Sequence, residues 1–121
     1  VMVDDSIVRG TTSKLLVDLI KKAEPEEIHL KITSPPIISP CFYGMDFPSA
    51  GELIANQHHQ NIDEIKNELG VTSLAYLTTE NLLQSVPYKH EKTDYCTACF
   101  TKNYPIQIEG LEEMKKDQFD D

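Results

Sequence analysis

The stretch Val1-Met2-Val3-Asp4-Asp5-Ser6-Ile7-Val8-Arg9-Gly10-Thr11-Thr12-Ser13 decides how this chain is read. A short apolar run ends in two adjacent carboxylates, and a loop carrying Arg9, Gly10 and hydroxyl side chains leads into an amphipathic segment. The run reads as a buried strand with Asp4 and Asp5 at its carboxyl end. In open α/β sheets, ligands bind outside that end of the strands. The loop over residues 8–13 gathers backbone N–H groups, hydroxyls and a helix N-terminus at one point, which suits a phosphate. Asp4 and Asp5, about one loop's length away, are placed to hold sugar hydroxyls or a hard divalent cation. A phosphorylated sugar fits such a site. Two common phosphate loops are excluded: the Gly-Lys-Ser/Thr of a Walker A loop is missing, and Gly10 lacks the two further glycines of the dinucleotide fingerprint. The same residues also suit an ordinary strand-to-helix turn with an N-cap.

Working outward, residues 12–22 place Leu15, Leu16, Leu19 and Ile20 on one face, continued by Ala23, at the spacing of an amphipathic helix. Thr11 or Thr12 can cap it, and Pro25 stops it. Residues 27–33 alternate Ile28, Leu30 and Ile32 inward with His29, Lys31 and Thr33 outward, the pattern of a strand with one wetter face. Strand, helix and strand with short links predict a right-handed βαβ unit and a parallel pair, hence an α/β fold. Residues 34–40 contain Pro35, Pro36 and Pro40 and cannot be helical. An apolar and aromatic loop follows over 41–48. The Ser49-Ala50-Gly51-Glu52 spacing predicts a capping box opening a helix near 52–56. Asn61-Ile62-Asp63-Glu64 repeats the device for a helix from Ile62 to Gly70. A short strand over 73–77 and a helix over 78–86, stopped by Pro87, precede an expected loop over 88–105. The charged tail after Gly110, with Glu112, Glu113, Asp117, Asp120 and Asp121, is expected to fray.

The totals narrow the function. A chain of 121 residues supports one modest domain. Eleven Lys and Arg against twenty Asp and Glu give a net charge of −9, which argues against a nucleic-acid partner. No apolar run is long enough to span a membrane. The opening strand is not a signal peptide, so a cytoplasmic location is expected. The chain opens only three residues ahead of Asp4, inside its strongest motif, which predicts a C-terminal piece of something longer. An exposed strand edge near residues 1–5 would invite a second copy, so a homo-oligomer is expected.

Several residues carry alternative readings. Arg9 either touches the phosphate or stays solvated while its backbone N–H binds. Thr11, Thr12 and Ser13 serve as phosphate donors, as caps, or as both. Cys96-Thr97-Ala98-Cys99 in an intracellular chain suggests metal before disulfide, but with Cys41 there are three thiols. Four-coordinate zinc would need His58, His59, His90 or an outside residue. Alternatively, Cys41 is a small buried hydrophobe and the pair is incidental. Phe42 and Tyr43 are expected to pack around the cysteine loop.

The opening stretch resembles the phosphoribosyl pyrophosphate (PRPP) signature of type I phosphoribosyltransferases. It is followed by Ile32-Thr33-Ser34-Pro35-Pro36-Ile37-Ile38-Ser39-Pro40-Cys41-Phe42-Tyr43-Gly44-Met45-Asp46-Phe47, then by Cys96-Thr97-Ala98-Cys99-Phe100-Thr101 and Tyr104-Pro105. Three separated motifs in this order resemble the C-terminal part of the glutamine PRPP amidotransferase family, in its iron–sulfur branch. The resemblance implies a type I phosphoribosyltransferase parallel-sheet part over 1–46 and a mainly helical, cysteine-bearing extension over 47–121. It implies transfer of glutamine-derived ammonia to PRPP, giving 5-phosphoribosylamine in purine synthesis, with purine nucleotides as feedback inhibitors. Asp4, Asp5, Ser6, Arg9, Gly10, Thr11, Thr12 and Ser13 would bind the ribose and 5-phosphate, with Asp4 and Asp5 also holding Mg²⁺. Cys41, Cys96 and Cys99 would be three of the four ligands of a [4Fe–4S] cluster, the fourth lying upstream. Lys102-Asn103 stands where members usually carry Gly and then a basic residue. No catalytic residue is expected in this piece, which should be inactive alone. A nucleobase phosphoribosyltransferase would share the PRPP signature but has no reason to carry the cysteines. A regulatory module binding a nucleotide 5-phosphate would not depend on Mg²⁺.

Overall fold

The computed structural model describes residues 1–89, 91, 94–107 and 109–110. Strand β1 (Met2–Asp4) leads through a loop into helix α1 (Thr11–Lys21) and strand β2 (His29–Ile32). After the proline segment come a 3-10 turn (Ala50–Glu52) and helices α2 (Ile54–Gln57) and α3 (Ile62–Leu69). Strand β3 (Ser73–Tyr76), helix α4 (Thr79–Gln84) and helix α5 (Ala98–Thr101) complete the described elements. The strands form one parallel sheet in the order β1-β2-β3, and Asp4, Ile32 and Tyr76 stand in register at its carboxyl end. The α/β class and the parallel βαβ pairing therefore follow the alternation and helix periodicity. The division expected at residue 46 runs through this sheet, since β3 lies beyond it yet pairs with β2.

Burial is one-sided. Leu30, Ile32 and Leu74 of the sheet pack with Val17 of α1, Ile54 of α2, and Ile65 and Leu69 of α3 into the core. Val3, Lys31 and Ala75 share the opposite face, where Val3 and Lys31 are exposed. This corrects the expectation of a buried first strand. β1 is an edge strand, Met2 reaches the core, and Val1 and Val3 remain 88% and 68% exposed.

Helix α1 also departs from its pattern. Val17 and Ser13 are its buried residues and Ile20 packs against the core, while Leu15, Leu16 and Leu19 face outward. At about 100° per residue Leu15 and Leu19 lie roughly 160° from Val17 and Leu16 roughly 100°, so the apolar arc is wider than the strip that meets the core. Neither Thr11 nor Thr12 caps it. Gly10 takes that place at φ 83, a left-handed conformation in which glycine pays no Cβ penalty.

The expected helix near 52–56 splits in two. The capping box between Ser49 and Glu52 forms as read, but Leu53 is extended, so one turn of 3-10 helix ends and α2 begins afresh. Asn61 caps α3 through its side chain and Gly70 closes it at φ 74, both as expected. The loop expected over 88–105 contains α5, an addition to the sequence reading. His90 and the acidic tail from residue 111 lie outside the described residues.

Candidate functional site

The site grows from the carboxyl end of β1. The backbone N–H of Thr33 donates to the Asp4 carbonyl at 3.0 Å, continuing the pairing with β2 to the last strand residue. Beyond it, the Asp4 carboxylate accepts from the Asp5 N–H at 2.9 Å, and the Ser6 hydroxyl donates to the Asp5 carboxylate at 3.2 Å. The chain then buries Ile7, at 2% exposure, and this anchor fixes where the loop starts. Gly10 ends the loop, its carbonyl accepting from the Lys14 N–H at 2.9 Å as the first bond of α1. The leading amides of a helix have no acceptor within it. Here they open on a cavity of about 540 Å³ lined by Asp4, Asp5 and Ser6 on one side and residues 8–13 on the other.

All eight residues singled out from the sequence therefore line one space. Thr11 and Thr12 are exposed at its rim and Ser13 is buried. The Arg9 guanidinium sits 3.4 Å from the Glu52 carboxylate rather than reaching across the opening. Glu52 also accepts from the Ser49 N–H at 3.0 Å and the Ser49 hydroxyl at 2.9 Å. Those bonds, with Arg9 contributing less, hold its carboxyl below the usual range. Among the described residues no basic side chain pairs with Asp4 or Asp5. A site with two unpaired carboxylates beside a helix N-terminus can take an anion at one end and hydroxyls or a cation at the other.

Sequence reading missed two residues that shape this loop. The Ile54 N–H donates to the Val8 carbonyl at 2.9 Å, and its side chain packs against Gly10 so closely that a Cβ there would lie 2.6 Å from Ile54 Cδ1. Glu52 was read only as a capping residue, yet it also holds Arg9. An apolar residue after a capping box carries no signal of a partner more than forty residues upstream.

The cysteine region forms a second locus. The N–H groups of Ile38 and Ser39 donate to the Cys99 carbonyl at 2.8 and 3.1 Å, docking the proline loop on α5. The Tyr104 hydroxyl bonds Ser39 and donates to the Pro40 carbonyl at 2.7 Å. Its ring packs against Phe42 and Tyr43 at 5.3 and 6.0 Å. Phe42 and Tyr43 thus pack around the cysteine loop, as read. Burial pushes the Cys99 thiol up, and Cys96 and then Cys41 push it further. Cys41 is only half-buried and Cys96 is exposed. Among the described residues no three His, Cys, Asp or Glu side chains gather tightly enough to hold one metal ion. Neither His58 nor His59 joins the thiols: His58 contacts Glu64 and Glu68 instead.

No protein-family model matches the chain. Curated relatives do. The amidophosphoribosyltransferase of Archaeoglobus fulgidus is 50% identical over 112 residues, covering 93% of this chain and 24% of that protein. The Bacillus subtilis amidophosphoribosyltransferase is 47% identical over 110 residues, covering 89% and 23%. The solved glutamine PRPP amidotransferase of B. subtilis, complexed with ADP and GMP, superposes at a TM-score of 0.75 with 47% identity, over 86% of this chain and 23% of that one. Over most of its length the chain is similar to a segment of the amidophosphoribosyltransferases. It spans about a quarter of the length of the curated relatives it matches. A second solved structure, the allosteric regulatory enzyme of purine biosynthesis, agrees at a TM-score of 0.77 and 48% identity, over 88% of this chain and 23% of that one. Both agreements bear on the parallel sheet, so the likeness to a type I phosphoribosyltransferase is one of fold as well as sequence. Among the described residues no helix is long and apolar enough to cross a membrane.

Proposed function

We propose that this chain carries the 5-phosphate and ribose half of the PRPP site of an amidophosphoribosyltransferase. The observation that carries the reading is the single cavity on which the Asp4-Asp5 pair and the N-terminus of α1 converge. In this reading the loop amides and the hydroxyls of Thr11, Thr12 and Ser13 hold the 5-phosphate, because they supply donors and the positive end of a helix dipole. Asp4 and Asp5 accept from the ribose 2- and 3-hydroxyls, carboxylates being the strongest side-chain acceptors available. Fixing the sugar at both ends leaves its anomeric carbon free for in-line attack. Ammonia derived from glutamine would form the new C–N bond there as the C–O bond breaks and pyrophosphate leaves with the electron pair, and loss of one proton from nitrogen would give 5-phosphoribosylamine. The unpaired carboxylates fit a hard divalent cation, and Mg²⁺ held by Asp4 and Asp5 would neutralise charge on the departing pyrophosphate.

The cysteines fit a separate, structural role. The segment leading to Cys41 docks on α5, which carries Cys99, beside the packed rings of Phe42, Tyr43 and Tyr104, and thiols so placed suit a soft-metal centre. A [4Fe–4S] cluster is held by four Cys thiolates, and Cys41, Cys96 and Cys99 would supply three of them. Its fourth thiolate must come from beyond the three cysteines of this chain. In the whole protein we further propose a homo-oligomer, feedback inhibition by purine nucleotides and a cytoplasmic location.

The test is a backbone NMR titration with ribose 5-phosphate, with and without Mg²⁺. Shifts confined to the amides of residues 4–13, strengthened by Mg²⁺, are expected. No perturbation there at millimolar ligand would overturn the reading. The 121 residues alone should form no phosphoribosylamine from PRPP and ammonia.

A further inference from the structure

Helix α2 is a single turn that touches the phosphate loop at one end and α3 at the other. At its start Ile54 ties the Val8 carbonyl by its N–H and supports Gly10 with its side chain. At its end His58 caps the turn, its N–H donating to the Ile54 carbonyl at 3.2 Å. Both ring nitrogens of His58 face carboxylates of α3: Nδ1 lies 3.5 Å from Glu64, and Nε2 bonds Glu68. A neutral imidazole has one N–H and can donate to only one of them, whereas the imidazolium satisfies both.

We propose that protonated His58 is a positioning residue for the phosphate loop: it clamps α2 to α3 and, through Ile54, holds Val8 and Gly10 in the anion-binding conformation. This rests on the phosphate-site reading above. The surrounding charges are few. From α1, Lys14 and Asp18 share with Glu68 and Ile54 a cavity of about 300 Å³ beside the loop, which Arg9 also lines. Arg9 is committed to Glu52, and on α3 Lys66 lies 3.8 Å from Asp63. Neighbouring His59 is exposed. The Glu68 hydrogen bond raises the His58 value most, burial opposes it, and Glu64 adds to the rise. The imidazolium therefore persists to higher pH than in an ordinary histidine.

Sulfate is the probe, because its charge stays constant across the histidine range. For the wild-type chain, sulfate affinity should fall about fivefold as pH rises through the His58 titration. By reciprocity, saturating sulfate should raise the His58 ring value in NMR titrations of the same unmutated protein. His58→Gln should bind weakly with a flat pH profile. Glu68→Gln, measured at about pH 6 where an ordinary histidine is mostly charged, separates clamping from plain Coulomb attraction. Removing a negative charge would by itself strengthen anion binding, whereas a broken clamp weakens it. A His58 ring value indifferent to sulfate, a His58→Gln profile like wild type, or tighter binding by Glu68→Gln would each overturn the proposal. If the wild type takes up neither sulfate nor ribose 5-phosphate at any pH, the phosphate-site reading itself falls.

Discussion

Replacing Gly10 by alanine tests the geometry on which the site depends. Gly10 has φ +83, and a Cβ added there would lie 2.6 Å from Ile54 Cδ1 and 3.7 Å from Leu69 Cδ2. The left-handed conformation costs an L-residue about 1–2 kcal/mol. Overpacking adds about 1–3 kcal/mol. Ile54 is 1% exposed and Leu69 fully buried, but the colliding atom is a terminal methyl, the end of a side chain that yields more readily than backbone. We take the lower half of the packing range and expect a total loss of about 2–4 kcal/mol. That is a large share of the roughly 5–15 kcal/mol that holds a domain folded. Urea unfolding followed by far-UV circular dichroism reads the loss directly. A double-mutant cycle with Ile54→Val divides it: removing Cδ1 should recover the packing part of the Gly10→Ala penalty and leave the backbone part. Strict additivity, or a Gly10→Ala cost below about 0.5 kcal/mol, would refute the contact between α2 and the loop.

Three further outcomes are expected. Lys102 ends α5 at φ 63, so Lys102→Gly relieves about 1–2 kcal/mol of strain against about 0.5–1 kcal/mol of added chain entropy, a net gain of up to about 1.5 kcal/mol in urea unfolding. The Tyr76 hydroxyl is buried without a partner among the described residues, and burial pushes it up to about 12. Tyr76→Phe removes only an unpaired polar atom and should be neutral or stabilising by up to about 1 kcal/mol; a clear loss of stability would contradict the orphaned hydroxyl. Because the folded value of His58 is raised, its stabilisation is complete below about pH 6.5 and disappears as pH rises through the folded value. The stability difference between wild type and His58→Gln should shrink accordingly between neutral and alkaline pH.

Much of this was legible in the chain. The alternation of Ile28, Leu30 and Ile32 gave the strand and its inner face, and Asn61 and Gly70 marked both ends of α3. Around the cavity, residue type and spacing were enough to name its lining, because phosphate loops are local structures built from consecutive residues. What failed was long-range. Helix α1 has an apolar arc wide enough to hold both Val17 and the leucines, so periodicity does not say which part of that arc meets the core. The exposure of Val1 and Val3 depends on what covers a sheet face, which no local pattern records. Ile54 and His58 act through partners 44 or more residues upstream and six to ten residues downstream, and neither relation has a periodic signature.

If the cavity takes a phosphate as proposed, a chain of net charge −9 must attract it locally. The one arginine of the loop is committed to Glu52, a pair that is half exposed on both sides and so worth little in binding. Attraction must then come mainly from dipoles: the leading amides of an 11-residue helix and the loop N–H groups beside Gly10. Dipoles act over a turn or so, and they must be aimed. A mobile lysine could follow its ligand, but a backbone cannot. That requirement accounts for the rigid supports beneath the loop: Ile7 buried at its start, Val8 tied to Ile54, and Gly10 pressed against the same side chain at its end. On the proposed reading, the residues that set anion affinity would include ones that never touch the anion.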